Sequence, residues 1–330
     1  MLKMRKFFPA ANTPDGFYSR FSSIYNEKED KRIIYIKGGS GTGKSTLMKH
    51  LSEDACKIGF DVEQFFCSSD PDSLDGIRIN DTKTAIVDAT APHIQDPAAP
   101  GISGKLYNIA DFWNEELLVS HKAEVFELVL NKKRCFDECY RHLKAARTLY
   151  AESKSDFLKI EEVCDKFNFP PKGGLGKTRK LFASGITPKG NVNFLDDILI
   201  GNITGIEGST GSSELLKRIN YKACISGYDT ELYFCPMFPE TKAEHLVIKE
   251  LNLSFTTLNE FHSYSNIDEK LCIGGKVEKS YLIRTLTDRA CECLANAKQF
   301  HNQIEKIYIE AMDFDKMNDT YEILKSELFN

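Results

Sequence analysis

No run of about eighteen apolar residues occurs in this 330-residue chain, so it offers no candidate for a membrane-spanning helix. It also lacks a large excess of either charge. With 43 Lys and Arg against 48 Asp and Glu, a formal net charge of −5 and a pI near 5.9, it carries no global basic field to hold nucleic acid or an anionic membrane. The opening MLKMRKFFPAANTPDGF has basic residues, but its apolar run is too short for a cleavable signal. The ten cysteines are scattered and form no secreted disulfide framework. Cys135 and Cys139 share a helix face at i,i+4, yet no second ligand pair accompanies them, so packing is preferred to zinc. These absences leave a reduced cytoplasmic protein as the simplest expectation, and 42% apolar content suffices for two ordinary cores.

The stretch richest in chemistry is RIIYIKGGSGTGKSTLMKHL, Arg32 to Leu51, a β-branched run that meets a glycine-rich loop and then a helical pattern. Gly38, Gly43, Lys44 and Ser45 fit G-x-x-x-x-G-K-[ST]. Glycines at that spacing let successive N–H groups turn inward around phosphate, the lysine reaches the outer phosphates, and the hydroxyl holds Mg²⁺. The positive end of the following helix points to the same place. Gly38, Gly39, Ser40, Gly41, Thr42, Gly43, Lys44, Ser45 and Thr46 are therefore the expected binding segment for ATP or GTP.

In chain order, Phe7 to Ala11 reads as loop leading to the turn Thr13-Pro14-Asp15-Gly16, and Asp61 to Cys67 reads as a strand. The segment Ser68 to Gly76 reads as a carboxylate-bearing loop beyond that strand, which puts Asp70 and Asp72 in reach of a γ-phosphate or its metal, or in a solvated turn. Thr84 to Asp88 is an apolar strand ending in an acid, and Asp88 is expected to hold Mg²⁺ through a water beside Ser45. No glutamate follows Asp88, so Glu63, Asp70, Asp72 or His93 would have to serve as the base. From Asp111 to Phe167 the pattern becomes helical, with Leu117, Leu118, Val125, Leu128 and Val129 on one side. It is expected to form a helical hairpin that projects from the domain and offers a protein partner its surface.

After PPKGGLGKTRK, a basic glycine-rich linker, the chain begins again. Thr13, Pro14 and Gly16 recur as Thr187, Pro188 and Gly190. At a different but constant offset of 168, Thr42, Gly43, Ser45, Leu47, Lys49, Ala55, Cys56, Gly59, Asp61, Glu63, Phe66 and Cys67 recur from Thr210 to Cys235. A duplication explains such agreement. The copy is chemically unequal: Ser212 stands at the position of Lys44, Glu207 and Ser209 at those of Gly39 and Gly41, and Thr257 at that of Asp88. It kept a scaffold and lost a site; Arg218 is its candidate to reach the first half as an arginine finger, with a merely solvated side chain as the preferred reading.

With GGSGTGKST and Asp88, the first half resembles P-loop NTPases. With AANTPDGF, FFCSSDPDSLDG, AIVDATAPH and FASGITPKG, most of the chain is similar to a family of bacterial tandem P-loop ATPase-like proteins. That resemblance implies an α/β fold of two tandem P-loop NTPase-like domains with parallel sheets, each with a helical projection. The expected divisions are 1–113 for the first domain, 114–170 for the helical hairpin, 171–180 for the linker, 181–275 for the degenerate domain and 276–330 for the last helices. It implies Mg²⁺ and ATP (or GTP) as cofactor and ligand, with Lys44, Asp88 and Asp70 as catalytic candidates and Ser45 and Asp88 (via water) as metal candidates. Hydrolysis in the first domain is the preferred outcome, against a small-molecule kinase or a nucleotide-sensing interaction module.

Overall fold

The computed structural model describes residues 4–150, 157–208, 211–259, 262–273 and 280–329, with the side chains of 157 and 158 left aside. Ser209, Thr210 and the boundary expected at 275/276 lie outside the described residues. The chain is mixed α/β, built on two six-stranded sheets. No described helix is long and apolar enough to cross a membrane.

The first half runs β1 (Arg5–Phe7), β2 (Ala10–Thr13), β3 (Gly16–Ser19), β4 (Arg32–Lys37), α1 (Lys44–Ile58), β5 (Val62–Cys67), β6 (Asp70–Ile79), β7 (Thr84–Asp88), β8 (Lys105–Asn108), α2 (Glu115–Ser120), α3 (Lys122–Thr148) and α4 (Phe157–Cys164). The second runs β9 (Thr178–Leu181), β10 (Ser184–Thr187), β11 (Gly190–Asn193), α5 (Leu195–Ile198), β12 (Asn202–Glu207), α6 (Ser212–Ile225), β13 (Thr230–Cys235), β14 (Phe238–Ile248), β15 (Leu253–Leu258), β16 (Glu269–Cys272), α7 (Ser280–Glu310) and α8 (Phe314–Phe329). Sheet order is β1-β5-β6-β7-β4-β8 in one half and β9-β13-β14-β15-β12-β16 in the other, the same order strand for strand. Each sheet is parallel except for one strand, β6 or β14, which is antiparallel to both neighbours.

Two expectations near the N-terminus and after β5 are corrected. Residues 7–11 are not loop, because Phe7 pairs with Phe65 on the sheet edge and Ala10 opens the β2–β3 hairpin. Asp70 and Asp72 lie on a strand, not a loop. Three carboxylates and a proline hide the strand signal of β6, whose apolar alternation emerges only at Leu74, Ile77 and Ile79. The expected linker is also shorter, since Thr178 already pairs with Thr230.

The helices are exchanged between halves. Instead of folding back into a hairpin of its own, α3 packs along α7. Leu128 meets Ile304 and Ile307 at one end, and Cys139, Leu143 and Ala146 meet Ile283, Ala290 and Leu294 at the other, so the pair is antiparallel. Beyond that pair, α4 lies on α6 of the second half, through Ile160 and Val163 against Leu215 and Ile219. Reciprocally, α8 lies on α1 of the first, through Met317, Leu324 and Leu328. Each half thus covers the other's loop helix, burying apolar faces that neither could cover alone.

The halves meet around a pseudo-twofold axis. Phe8 and Phe182, which occupy matching positions, exchange both backbone hydrogen bonds (3.1 and 3.2 Å). Beside them, Arg5 pairs with Glu231 (2.6 Å) and Arg179 with Glu63 (2.7 Å), each arginine crossing to the other half's glutamate. Burial opposes ionising Glu63 and Glu231, but the arginines and Lys249 hold both below the usual carboxylate range. Removing one member would strand a buried charge. Glu231→Ala should therefore cost about 3–5 kcal/mol in thermal or urea unfolding. Asp72→Ala, which breaks the exposed cross-half pair with Lys189, should cost less than about 1 kcal/mol.

Candidate active site

β4 delivers the chain into the glycine-rich loop at Gly38, and Gly43 turns it into α1 with a left-handed φ of +85°. An L side chain would be strained there. Lys44 is buried and folds back over the loop, donating to the Gly38 and Gly39 carbonyls (2.5 and 2.6 Å). Its Nζ also lies 3.5 Å from Asp88 Oδ2. Thr42 is buried and donates to the Gly39 carbonyl (2.9 Å), Ser40 is half-buried, and Thr46 is exposed on the first turn of α1.

Because β7 is the immediate neighbour of β4, its last residue, Asp88, ends beside the loop. Its Oδ1 accepts from Thr90 N (2.9 Å), while the Thr90 hydroxyl donates to the Gly38 carbonyl (2.7 Å). Ser45 Oγ accepts from Leu74 N (2.9 Å), which ties α1 to β6 and sets the next residue, Asp75, at the same place.

Asp75 was not singled out by the sequence. It is buried, and burial pushes its carboxyl up to about 6; Asp88 adds to that rise, whereas His93 and Lys44 oppose it. One oxygen lies 3.8 Å from His93 Nε2, and the other has no hydrogen-bond partner. Phe21 stacks on the His93 ring, with centroids 4.6 Å apart. The only sequence signal for Asp75 was its place in an acid-rich segment, where it looked no different from Asp70 or Asp72.

The other acidic candidates are occupied. Glu63 belongs to the buried ion cluster on the axis, and Asp72 pairs with Lys189 at the surface. Asp70 accepts from Lys298 Nζ of α7 (2.8 Å) and from the Ser73 hydroxyl. Burial would raise its pKa, but these bonds hold it lowered.

Lys298 belongs to a polar roof that α3 and α7 lay over the loop. Lys298 also approaches Glu305 (3.5 Å), and His301 is held down to about 4, by burial first and then by Lys132, Lys298 and, more weakly, Lys44. The roof is close: a Cβ added to Gly41, where φ is +71°, would lie 2.8 Å from the Glu305 carbonyl oxygen. Arg218, by contrast, pairs with Glu161 of α4 and Glu214 of its own helix, and reaches no residue of the loop. The exchange of helices explains this. α4 covers α6, so the second half approaches the loop with α7 and α8 instead.

In the second half, the Ala243 N–H donates to Ser213 Oγ (2.9 Å), as Leu74 does to Ser45. Thr257 stands at the register position of Asp88 and Ser212 replaces Lys44, but Glu207 is corrected: as the last residue of β12 it matches Lys37, not Gly39, and it is an exposed partner of Lys270. No known protein family, curated protein or solved structure matches the chain.

The raised carboxyl of Asp75 has a signed consequence. A group whose folded pKa exceeds its unfolded value stabilises fully below the unfolded value and loses that contribution as pH rises through the folded one. Between about pH 4 and pH 7, the unfolding free energy of the wild type should fall relative to that of Asp75→Asn, by up to about 3 kcal/mol. Denaturant unfolding of both proteins across that range checks it.

Proposed function

We propose that the first half binds a Mg²⁺-nucleoside triphosphate at Gly38–Thr46 and hydrolyses it, as a P-loop NTPase does. The observation carrying this reading is the convergence of Lys44, Ser45, Asp75 and Asp88 from α1, β6 and β7 on one buried spot. Two polar atoms there have no hydrogen-bond partner among the described residues: Asp75 Oδ2 and His93 Nδ1. Orphaned buried groups call for an ion, water or ligand.

In this reading the loop N–H groups and the end of α1 hold the phosphates, and Lys44 leaves the loop carbonyls for the outer phosphate. Ser45 and Asp88 fit a hydrated Mg²⁺, which would neutralise charge developing on the phosphate oxygens. Asp75 takes the place of the missing glutamate. Its raised carboxyl sits near neutrality, the range suited to accepting a proton from the attacking water, and His93 orients it. Lys298 supplies from α7 the cation that Arg218 does not. The closeness of the roof to Gly41 favours a coupled reading, in which phosphates in the loop bear directly on α7 and the site reports its occupancy to the helices.

Lys44→Ala should weaken triphosphate binding by about two orders of magnitude or more, by calorimetry on protein whose fold is checked by circular dichroism. Asp88→Asn should reduce Mg²⁺-dependent turnover more than metal-free nucleotide binding. Lys298→Ala should lower kcat about 10- to 1000-fold with a smaller effect on KM. Phosphate release without an acceptor separates hydrolysis from a kinase. Unchanged affinity in Lys44→Ala would contradict the site.

A further inference from the structure

The second half repeats the acid–histidine arrangement of the first and adds to it. Leu74 and Ala243 hold the same place, since each donates to the serine of its loop helix and each pairs with the matching phenylalanine, Phe66 or Phe234. Glu244 therefore corresponds to Asp75, and His245 to Gly76. His262 corresponds to His93, approaching Glu244 Oε2 at 2.9 Å as His93 approaches Asp75. An inherited ion pair accounts for Glu244 and His262. It does not account for His245.

The three side chains are 1%, 1% and 6% exposed, and their ligand atoms lie within 4.8 Å of one another. His245 Nδ1 is bonded to Thr256 Oγ1 (2.8 Å), which fixes the ring and leaves Nε2 for the cluster. Nε2 has no hydrogen-bond partner among the described residues, and neither does His262 Nδ1, whereas Glu244 Oε2 has only the His262 Nε2 contact at 2.9 Å. Two unpartnered imidazole nitrogens beside a buried carboxylate are costly unless an ion, water or ligand satisfies them. A cavity of about 30 Å³, bordered by Glu244, His262 and Cys235, has room for one small occupant.

We propose that Glu244, His245 and His262 bind a divalent transition-metal ion of the Zn²⁺ type, as a closed structural site in the half that lost its phosphate chemistry. Two imidazoles and a carboxylate suit Zn²⁺ better than Mg²⁺ or Ca²⁺, which prefer all-oxygen shells. Cys235, whose thiol lies against Glu244, is the available fourth donor. Bound as thiolate, its proton released to solvent, it balances the ion's charge together with Glu244. The Lys242 ammonium then rests on the other carboxylate oxygen, Oε1 (3.3 Å).

The test uses the full-length protein, stripped with a chelator and titrated with Zn²⁺ against a competing chelator, with Tm followed in parallel. One Zn²⁺ per chain and a rise in Tm are expected. His245→Ala should weaken binding about a hundredfold or more and abolish the Tm shift, while Lys44→Ala should bind Zn²⁺ as the wild type does. Glu244→Gln, which preserves shape, repeats the test if His245→Ala fails to fold. Three results would overturn the proposal: no uptake at all, wild-type uptake by either cluster variant, or uptake lost on His142→Ala. The last change disrupts the other candidate group, Glu138, His142 and Cys293 on the α3–α7 pair.

Discussion

Two glutamates buried where matching edges of the two sheets meet, with the buried Arg5 and the half-buried Arg179 across from them, constrain everything else in this molecule. Glu63 and Glu231 are paid for only when both halves are in place, because each draws its shortest arginine contact from the other half. Around them, Phe7, Phe65 and Tyr233 stack across the same boundary. With the axis fixed there, the long helices α3 and α7 lie side by side, and the helices that follow them land on the opposite half. The duplicated chain is an internal dimer whose halves have exchanged arms.

That arrangement leaves two sheets of the same strand order carrying different side chains at matching places. Leu215, Ala223 and Phe234 keep the core of the copy, and the Ser213 tether to β14 persists. What changed lies at the carboxyl edge of the sheet: Lys44 became Ser212, Asp88 became Thr257, and Gly76 became His245. The same pair of register positions holds an acid and a histidine in both halves. One pair faces a lysine and an aspartate; the other faces a second histidine.

Much of this was written in local sequence. The glycine loop, its strand and its helix announce themselves because the backbone demands of Gly43 and the spacing of Lys44 and Ser45 leave few alternatives. The duplication was legible from residues that build the core. Asp75 was not legible, because its place beside the loop depends on the antiparallel return of β6, and the signal of that strand is masked by Asp70, Pro71 and Asp72. Nor was the exchange of helices. The apolar faces of α3 and α7 state that they need partners, but the axis decides which, through contacts such as Phe8 with Phe182 that lie 174 positions apart in the chain. Arg218 could act across the halves only if α6 faced the first loop; the cation that crosses near that loop is Lys298, which reaches Asp70.

The central claim is that one half does the chemistry and the other completes it by structure. Calorimetric titration of the intact protein with a non-hydrolysable triphosphate analogue and Mg²⁺ tests this most directly. A single site per chain, lost in Lys44→Ala, is the result predicted here. Two equivalent sites, or a single site that survives Lys44→Ala, would contradict it.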